Sequence, residues 1–244
     1  MACAGALSVR HVEIIRMLMD SGLELVIFDL DGTLVEFHHE YLFSETHRIL
    51  QKMGRAAVPS ERLRNSFAVF DYFSFVGAKS ERDSFVEEFW SLFNWEGFPT
   101  VSPFPHAIST LEDLVTLGLR VAIVTARFMP REKLLHDLAP TGFPDVISHL
   151  ITRPGDHIHW TDKRGTIREM CRALNVAPEH ALMVGDVPTD ITSAYDVGLS
   201  GGVAVLSGGI NREILALAEP LAIIDDISQL LPLVNVGTLK ITPS

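Results

Sequence analysis

Two aspartates, one residue apart, follow an apolar run near the start of the chain. Residues 25–28 read Leu-Val-Ile-Phe, Asp29 comes next, and Asp31 stands just before a Gly-Thr pair. A short β-branched and aromatic run predicts a fully buried parallel strand, and open α/β sheets bind ligands at the carboxyl ends of such strands. Because side chains alternate along a strand, we expect Asp29 and Asp31 to face one crevice.

Two carboxylates in one crevice repel each other. At a separation of about 4–6 Å and an effective dielectric constant of 20, the repulsion is roughly 3–4 kcal/mol. A divalent cation, or a proton retained on one of the two groups, usually compensates for it. The pair therefore predicts chemistry at this strand end, and both forms of compensation remain open.

The rest of the chain predicts elements that would extend this crevice. Helical patterns alternate with apolar runs, and further strands are predicted at residues 121–124, 146–151, 181–184, 203–206 and 221–224. Such alternation is typical of an α/β protein with a doubly wound parallel sheet. Three further signals should meet at its carboxyl edge: Thr125, Lys163 and the run from Gly185 to Asp190.

Residues 36–104 have a different pattern. This segment contains most of the chain's 14 phenylalanines and lacks a buried-strand pattern, while apolar residues recur at helical spacing. We predict a helical unit at residues 36–104, inserted into a core made of residues 1–35 and 105–244. Its aromatic residues form either the interior of this unit or an apolar substrate pocket or partner surface.

Composition limits the classes of function. The chain has 244 residues, a formal charge of −11 and two cysteines. No apolar run approaches the ~18 residues of a membrane helix, and an acidic protein is poorly suited to nucleic acid. So few cysteines favour a reducing cytoplasm over a disulfide framework. We therefore expect a cytoplasmic protein without a membrane or nucleic-acid partner.

With these residues in place, the chain resembles the haloacid dehalogenase-like (HAD) superfamily. The four motifs of that superfamily are DxDGT, a strand-terminal Ser or Thr, a Lys and GDxxxD. The chain matches them with Asp29-Leu30-Asp31-Gly32-Thr33, Thr125, Lys163 and Gly185-Asp186-Val187-Pro188-Thr189-Asp190. The resemblance spans about residues 23 to 233 and is closest to phosphoglycolate phosphatase-like members. It implies a Rossmann-like core, with the insertion as the helical (C1-type) cap.

The resemblance implies a role for each motif residue. Asp29 would be the nucleophile that forms an aspartyl-phosphate. Asp31 would be the general acid and then the general base. Dehalogenases lack an aspartate at this second position, so the resemblance implies phosphoryl chemistry. Gly32 and Thr33 would shape the turn around the phosphoryl group, and Thr125 and the amide of Ala126 would bind its oxygens.

The same resemblance implies a Mg²⁺ site. An oxygen of Asp29, the backbone carbonyl of Asp31 and the carboxylate of Asp186 would hold the ion. Asp190 would complete the acidic set or would orient a bound water or Lys163. Lys163 would balance the cluster, with Arg164 as the competing cation. Arg127 either reaches the leaving group or forms a surface salt bridge.

We therefore expect a Mg²⁺-dependent phosphohydrolase that acts on a small phosphorylated metabolite. A phosphomutase or phosphotransferase of the same superfamily is the nearest alternative, and a catalytically idle binding protein of the same fold is another. The substrate and the oligomeric state do not follow from the sequence. Four cations of the insertion either grip an anionic substrate or form a solvated face: Arg62, Arg64, Lys79 and Arg82.

Overall fold

The computed structural model describes residues 22–77, 79–99, 102–152 and 162–235. Six parallel strands form one sheet in the order β3-β2-β1-β4-β5-β6. They are β1 (Leu25–Phe28), β2 (Arg120–Val124), β3 (His149–Ile151), β4 (Ala181–Gly185), β5 (Gly201–Val205) and β6 (Ala222–Ile224). Strand order reverses between β1 and β4, and ligand crevices lie at this point of α/β sheets. The predicted fold class is confirmed.

Ten α-helices accompany the sheet in the described residues. Three lie in the insertion, residues 36–104: α1 (His39–Lys52), α2 (Ser60–Ala68) and α3 (Lys79–Leu92). The others are α4 (Ala107–Thr116), α5 (Arg131–Leu138), α6 (Phe143–Val146), α7 (Arg164–Ala173), α8 (Pro188–Val197), α9 (Arg212–Ala216) and α10 (Leu230–Asn235). Short 3₁₀ turns lie at Ala139–Thr141, Pro178–His180 and Ile227–Gln229.

Strand β1 is buried on both faces, which explains its uninterrupted apolar sequence. Val26 and Phe28 belong to the hydrophobic cluster on one side of the sheet. Leu25 and Ile27 belong to the cluster on the other side. All four side chains are fully buried, so the first position that can carry a charge is the one where the strand ends.

The third predicted strand was too long. Residues 146–151 were expected to be extended, but only His149–Ile151 pairs with β2, and residues 143–146 form the short helix α6. Gly142, at φ 81°, ends the preceding 3₁₀ turn in the left-handed region and leads into this helix. A short apolar run is compatible with either a buried strand or a buried helix, which is why periodicity misassigned Val146.

The helical insertion, residues 36–104, has its own aromatic interior. Buried side chains of residues 42–93 form a separate cluster, of which Phe43, Phe85 and Phe89 are fully or almost fully buried. The two connections to the sheet lie side by side. Glu36 N–H donates to the carbonyl of Ser102 at 2.8 Å, and Phe104 N–H donates to the carbonyl of Leu34 at 3.0 Å.

Within the described ranges, no helix combines the length and apolar composition needed to cross a membrane. Residues 1–21 and 236–244, which the sequence analysis assigned to the core, lie outside those ranges.

Candidate active site

A tight turn after β1 presents the two aspartates of the first motif. Asp29 N–H donates to the carbonyl of Val184 at 2.9 Å and so continues the pairing of β1 with β4. The chain then folds back, so that the carbonyl of Leu30 accepts the N–H of Leu34 at 2.9 Å. Gly32 has φ 79°, a conformation that glycine adopts without a steric penalty. Both Asp29 and Asp31 line one cavity, as predicted from their spacing.

Lys163 joins two of the buried carboxylates. Its Nζ lies 2.8 Å from Oδ2 of Asp29 and 2.6 Å from Oδ1 of Asp190, and the residue is 2% exposed. Its position just before α7 is fixed in part by its backbone N–H, which donates to Oγ of Ser193 at 3.3 Å. Arg164, the competing cation, points outward and pairs with Asp162 at 2.7 Å. Only Lys163 of these two reaches the cluster.

Asp186 follows β4 and sits in a cradle of glycines. Oγ1 of Thr33 donates to its Oδ1 at 3.2 Å. A Cβ atom on Gly32 would lie 2.5 Å from Oδ2 of Asp186, and one on Gly208 would overlap the same carboxylate. Ser207 supports the cradle, since its Oγ donates to the carbonyl of Gly32 at 2.6 Å. The sequence analysis missed Ser207 and Gly208, although a Ser-Gly-Gly run after β5 was a usable signal.

The carboxylates form a set of oxygens that suits Mg²⁺. One oxygen from each of Asp29, Asp186 and Asp190 lies within 4.8 Å of the others. Both oxygens of Asp190 accept hydrogen bonds, one from Lys163 and one from the N–H of Val187 at 3.2 Å. Mg²⁺ prefers hard oxygen ligands and commonly uses only one or two carboxylates. The residues therefore fit the ion, and Asp29 and Asp186 are better placed to bind it than Asp190, because they line the cavity and Asp190 is fully buried outside its lining.

Burial perturbs the pKa values of Asp29, Asp186 and Lys163. It raises the pKa of Asp29 to about 6, against the opposing effect of Lys163 and with a further increase from Asp190. Burial and the charges of Asp29 and Asp190 raise the pKa of Asp186 well above its usual value. Burial alone would lower the pKa of Lys163, but Asp190 and Asp29 raise it overall. One lysine thus faces three carboxylates, and the site lacks positive charge.

Arg127 forms a bidentate ion pair with Asp31. Its Nε and Nη2 lie 2.8 and 2.7 Å from the two carboxylate oxygens, and Arg127 is only 5% exposed, so the pair is not the surface salt bridge considered above. Burial lowers the pKa of Arg127, but Asp31 raises it overall. Both Asp31 oxygens are acceptors here, so Arg127 must release one before Asp31 can donate a proton.

Three more residues surround this ion pair. The guanidinium of Arg127 lies 4.9 Å from the ring centre of Phe98, which belongs to the segment between β1 and β2. Oγ1 of Thr125 accepts the backbone N–H of Arg127 at 3.2 Å. Thr125 and Ala126 both line the cavity, as predicted. The stacking on Phe98 was not anticipated, because only the fold brings these distant positions together.

The other candidate cations are dispersed. Arg82 lines the cavity and pairs with Asp71 at 3.2 Å. Arg64 pairs with Glu40 at 2.7 Å on the exposed surface, and Arg62 is exposed outside this cavity. The side chain of Lys79 lies outside the described part of the chain.

Comparison with known proteins gives one consistent result. Residues 26–203 match the family model of haloacid dehalogenase-like hydrolases. A phosphoglycolate phosphatase of Psychrobacter arcticus is 28% identical over 85% of this chain and 94% of its own length. The pyrophosphatase PpaX of Oceanobacillus iheyensis is 26% identical over 87% of this chain and 97% of its own length.

Solved structures support the same fold. A predicted phosphatase from Clostridium acetobutylicum superposes with a TM-score of 0.68 at 20% identity, covering 85% of this chain and 96% of that one. A predicted phosphoglycolate phosphatase from Haemophilus somnus superposes with a TM-score of 0.62 at 21% identity, covering 86% and 97%. At these identities the likeness shows the fold.

The first prediction concerns the buried charge of Asp29. Because its pKa rises from 3.8 unfolded to about 6 folded, folding binds a proton, and the metal-free protein should lose stability as the pH rises from about 4 to about 6. Asp29→Asn cannot ionise at this position, so its stability should not fall in this way. In urea unfolding with chelator present, the free energy of unfolding of the variant relative to that of wild type should therefore rise by up to about 3 kcal/mol from about pH 4 to about pH 7.5.

Asp225→Asn is the matched control, since Asp225 is an exposed carboxylate that pairs with Arg212. A stability difference for Asp29→Asn that stays constant across this pH range would contradict the raised pKa.

The second prediction concerns the ion pair of Asp31 and Arg127. Asp31→Ala leaves a buried guanidinium without its partner and should cost about 3 kcal/mol of unfolding free energy. Adding Arg127→Met should recover most of this loss, because the uncompensated charge is gone. A double-mutant cycle on Asp31 and Arg127 measures their coupling free energy. The same cycle on the exposed pair Glu40 and Arg64 serves as the comparison, and there we expect a coupling free energy below about 1 kcal/mol. Equal coupling in the two cycles would show that the Asp31 pair is not buried in solution.

Proposed function

This chain belongs to the haloacid dehalogenase-like hydrolase family, and from that premise we propose that it is a Mg²⁺-dependent phosphatase of small phosphomonoesters that works through an aspartyl-phosphate. The observation that carries the proposal is the buried cluster at the end of β1, where Asp29 contacts Lys163 and lies beside Asp186. Curated relatives named phosphoglycolate phosphatase and pyrophosphatase support phosphoryl chemistry.

Asp29, Asp186 and the backbone carbonyl of Asp31 would hold Mg²⁺. When bound, the ion supplies positive charge against the phosphoryl oxygens and the buried carboxylates. We assign Asp190 to the positioning of Lys163, because it contacts Lys163 and is fully buried outside the cavity lining, whereas Asp29 and Asp186 line the cavity. Lys163 in turn holds the Asp29 carboxylate in place and contributes a fixed positive charge.

In the first half-reaction, a carboxylate oxygen of Asp29 attacks phosphorus and the bond from phosphorus to the ester oxygen breaks. Asp31 donates a proton to the departing oxygen, which requires Arg127 to release one of the Asp31 oxygens. The N–H of Ala126 and Oγ1 of Thr125 bind the phosphoryl oxygens, Gly32 lets the backbone approach them, and Thr33 stabilises the turn. Lys163 balances the negative charge that gathers around Asp29.

In the second half-reaction, Asp31 accepts a proton from water. The water oxygen attacks phosphorus, the bond from phosphorus to Asp29 breaks, and inorganic phosphate leaves with Asp29 restored. We assign residues 36–104 to a cap that limits water at the site, with residues 1–35 and 105–244 as the core. The substrate would be a small phosphorylated metabolite of the cytoplasm, with no role for nucleic acid or membrane.

A phosphomutase would use the same residues but would return the phosphoryl group to an organic hydroxyl. Release of inorganic phosphate in proportion to the alcohol separates the two reactions. A catalytically idle binding protein is disfavoured because Asp29, Asp31, Lys163 and Asp186 are all present and brought to one cavity.

The third prediction tests the nucleophile. Asp29→Asn should lower the hydrolysis of p-nitrophenyl phosphate at least about 10³-fold, because an amide is a poor nucleophile for phosphorus. Wild-type turnover should require Mg²⁺ and stop with excess chelator. The residual activity of Asp29→Asn sets the limit on contaminating phosphatase, and Asp225→Asn, prepared in parallel, should keep wild-type activity. Activity of Asp29→Asn within tenfold of wild type would exclude this assignment.

The fourth prediction tests the acid. Asp31→Asn should reduce the single-turnover rate of alcohol release about 10²–10⁴-fold for ethyl phosphate, whose leaving oxygen needs a proton. The reduction should be much smaller for p-nitrophenyl phosphate, whose leaving group departs as a stable anion. Single-turnover rates of alcohol release measure this step apart from the hydrolysis of the intermediate. An equal loss for both esters would argue against proton donation by Asp31.

A further inference from the structure

The cavity lined by Asp29 and Asp31 extends into the helical insertion, residues 36–104. It has a volume of about 320 Å³, which lies within the range of pockets for organic ligands much larger than a phosphoryl group. Asp29, Asp31 and Lys163 lie at its inner end. Beyond them its walls are mainly aromatic, including Phe67, Tyr72, Phe73, Trp90, Trp95 and Phe98.

The charges on the cavity wall are already matched within the protein. Arg82 pairs with Asp71 at 3.2 Å and also donates to the carbonyl of Val76. Arg127 is bound to Asp31 through two hydrogen bonds, and Lys163 contacts Asp29 and Asp190. Asp83 adds another carboxylate near Arg82 on the wall. Among the described lining residues, every cation thus has a carboxylate partner, and Arg127 keeps one Asp31 oxygen even when it releases the other for proton transfer.

These features distinguish the cavity from one suited to phosphoglycolate or pyrophosphate. Each of those molecules carries a second anionic group, for which the lining offers no cation without a carboxylate partner, and neither has an apolar part that could cover the aromatic wall. An apolar organic group would instead cover that wall and release its water.

We infer that the leaving group of the substrate is a bulky, largely apolar alcohol, aromatic in the best case, and that it binds in the aromatic cavity between the aspartates and α3. This inference rests on the proposed phosphatase function. The aromatic residues of the insertion then have two roles, because some fill its interior and others form a wall for the substrate.

The test compares kcat/KM for four phosphates: 2-naphthyl phosphate, phenyl phosphate, phosphoglycolate and pyrophosphate. Phenol and 2-naphthol have similar acidity, so the difference between their esters reports on binding of the second ring. That ring should raise kcat/KM about 10-fold, as expected for the burial of its apolar surface. Both aryl esters should exceed phosphoglycolate and pyrophosphate by at least about 10²-fold.

Two variants test whether the second ring of 2-naphthyl phosphate binds in this cavity. Phe67 lines the cavity, whereas Phe75 packs in the same aromatic cluster without lining it. Phe67→Ala should lower the ratio of kcat/KM for 2-naphthyl over phenyl phosphate at least about threefold. Phe75→Ala should preserve that ratio, and because a ratio cancels the concentration of folded enzyme, a loss of stability does not imitate the effect.

The possible outcomes separate the two proposals. Turnover of phosphoglycolate or pyrophosphate equal to or better than that of the aryl esters would overturn the apolar leaving group and leave the phosphatase function intact. Equal ratios in wild type and Phe67→Ala would overturn the location in this cavity. Absence of Mg²⁺-dependent turnover with all four compounds would overturn the proposed function and this inference together.

Discussion

The burial of three carboxylates around one lysine is the constraint on which the rest of the structure depends. Asp29, Asp186 and Asp190 are each less than about a tenth exposed, and within the described part of the chain only Lys163 pairs with two of them. Such an arrangement is costly unless further positive charge is added. Regular elements at the centre of the sheet hold these carboxylates in place. Asp29 follows β1, Asp186 follows β4, and Asp190 lies in the first turn of α8. A bound divalent cation would supply that positive charge.

The second ion pair connects this cluster to the helical segment. Arg127 follows β2, binds Asp31 and stacks on Phe98, so one side chain touches both the proposed proton donor and the insertion. A displacement of Phe98 would therefore alter the surroundings of Arg127 and thereby the ease with which Arg127 releases an Asp31 oxygen. Binding of a leaving group in the adjacent cavity is a physical means to couple substrate size to the availability of the proton.

Local sequence predicted the sheet and the carboxylates because both depend on short-range patterns. Buried runs that end on Asp29, Thr125 and Asp186 mark the carboxyl edge of a parallel sheet without any knowledge of the fold. The third strand was misplaced because an apolar run around Val146 is also compatible with a buried helix. Neither the ion pair of Asp31 with Arg127 nor the contact of Gly208 with Asp186 could be predicted, since each joins positions far apart in sequence through tertiary packing.

The central claim is that Asp29 becomes phosphorylated during turnover. The direct measurement is to quench the enzyme with acid while it turns over an aryl phosphate, reduce the protein with borohydride and map the modified residue by peptide mass spectrometry. An acyl phosphate is reduced to an alcohol, so the account predicts homoserine at position 29 in proportion to the trapped intermediate. Its absence during active turnover, with homoserine at another aspartate, would contradict the account.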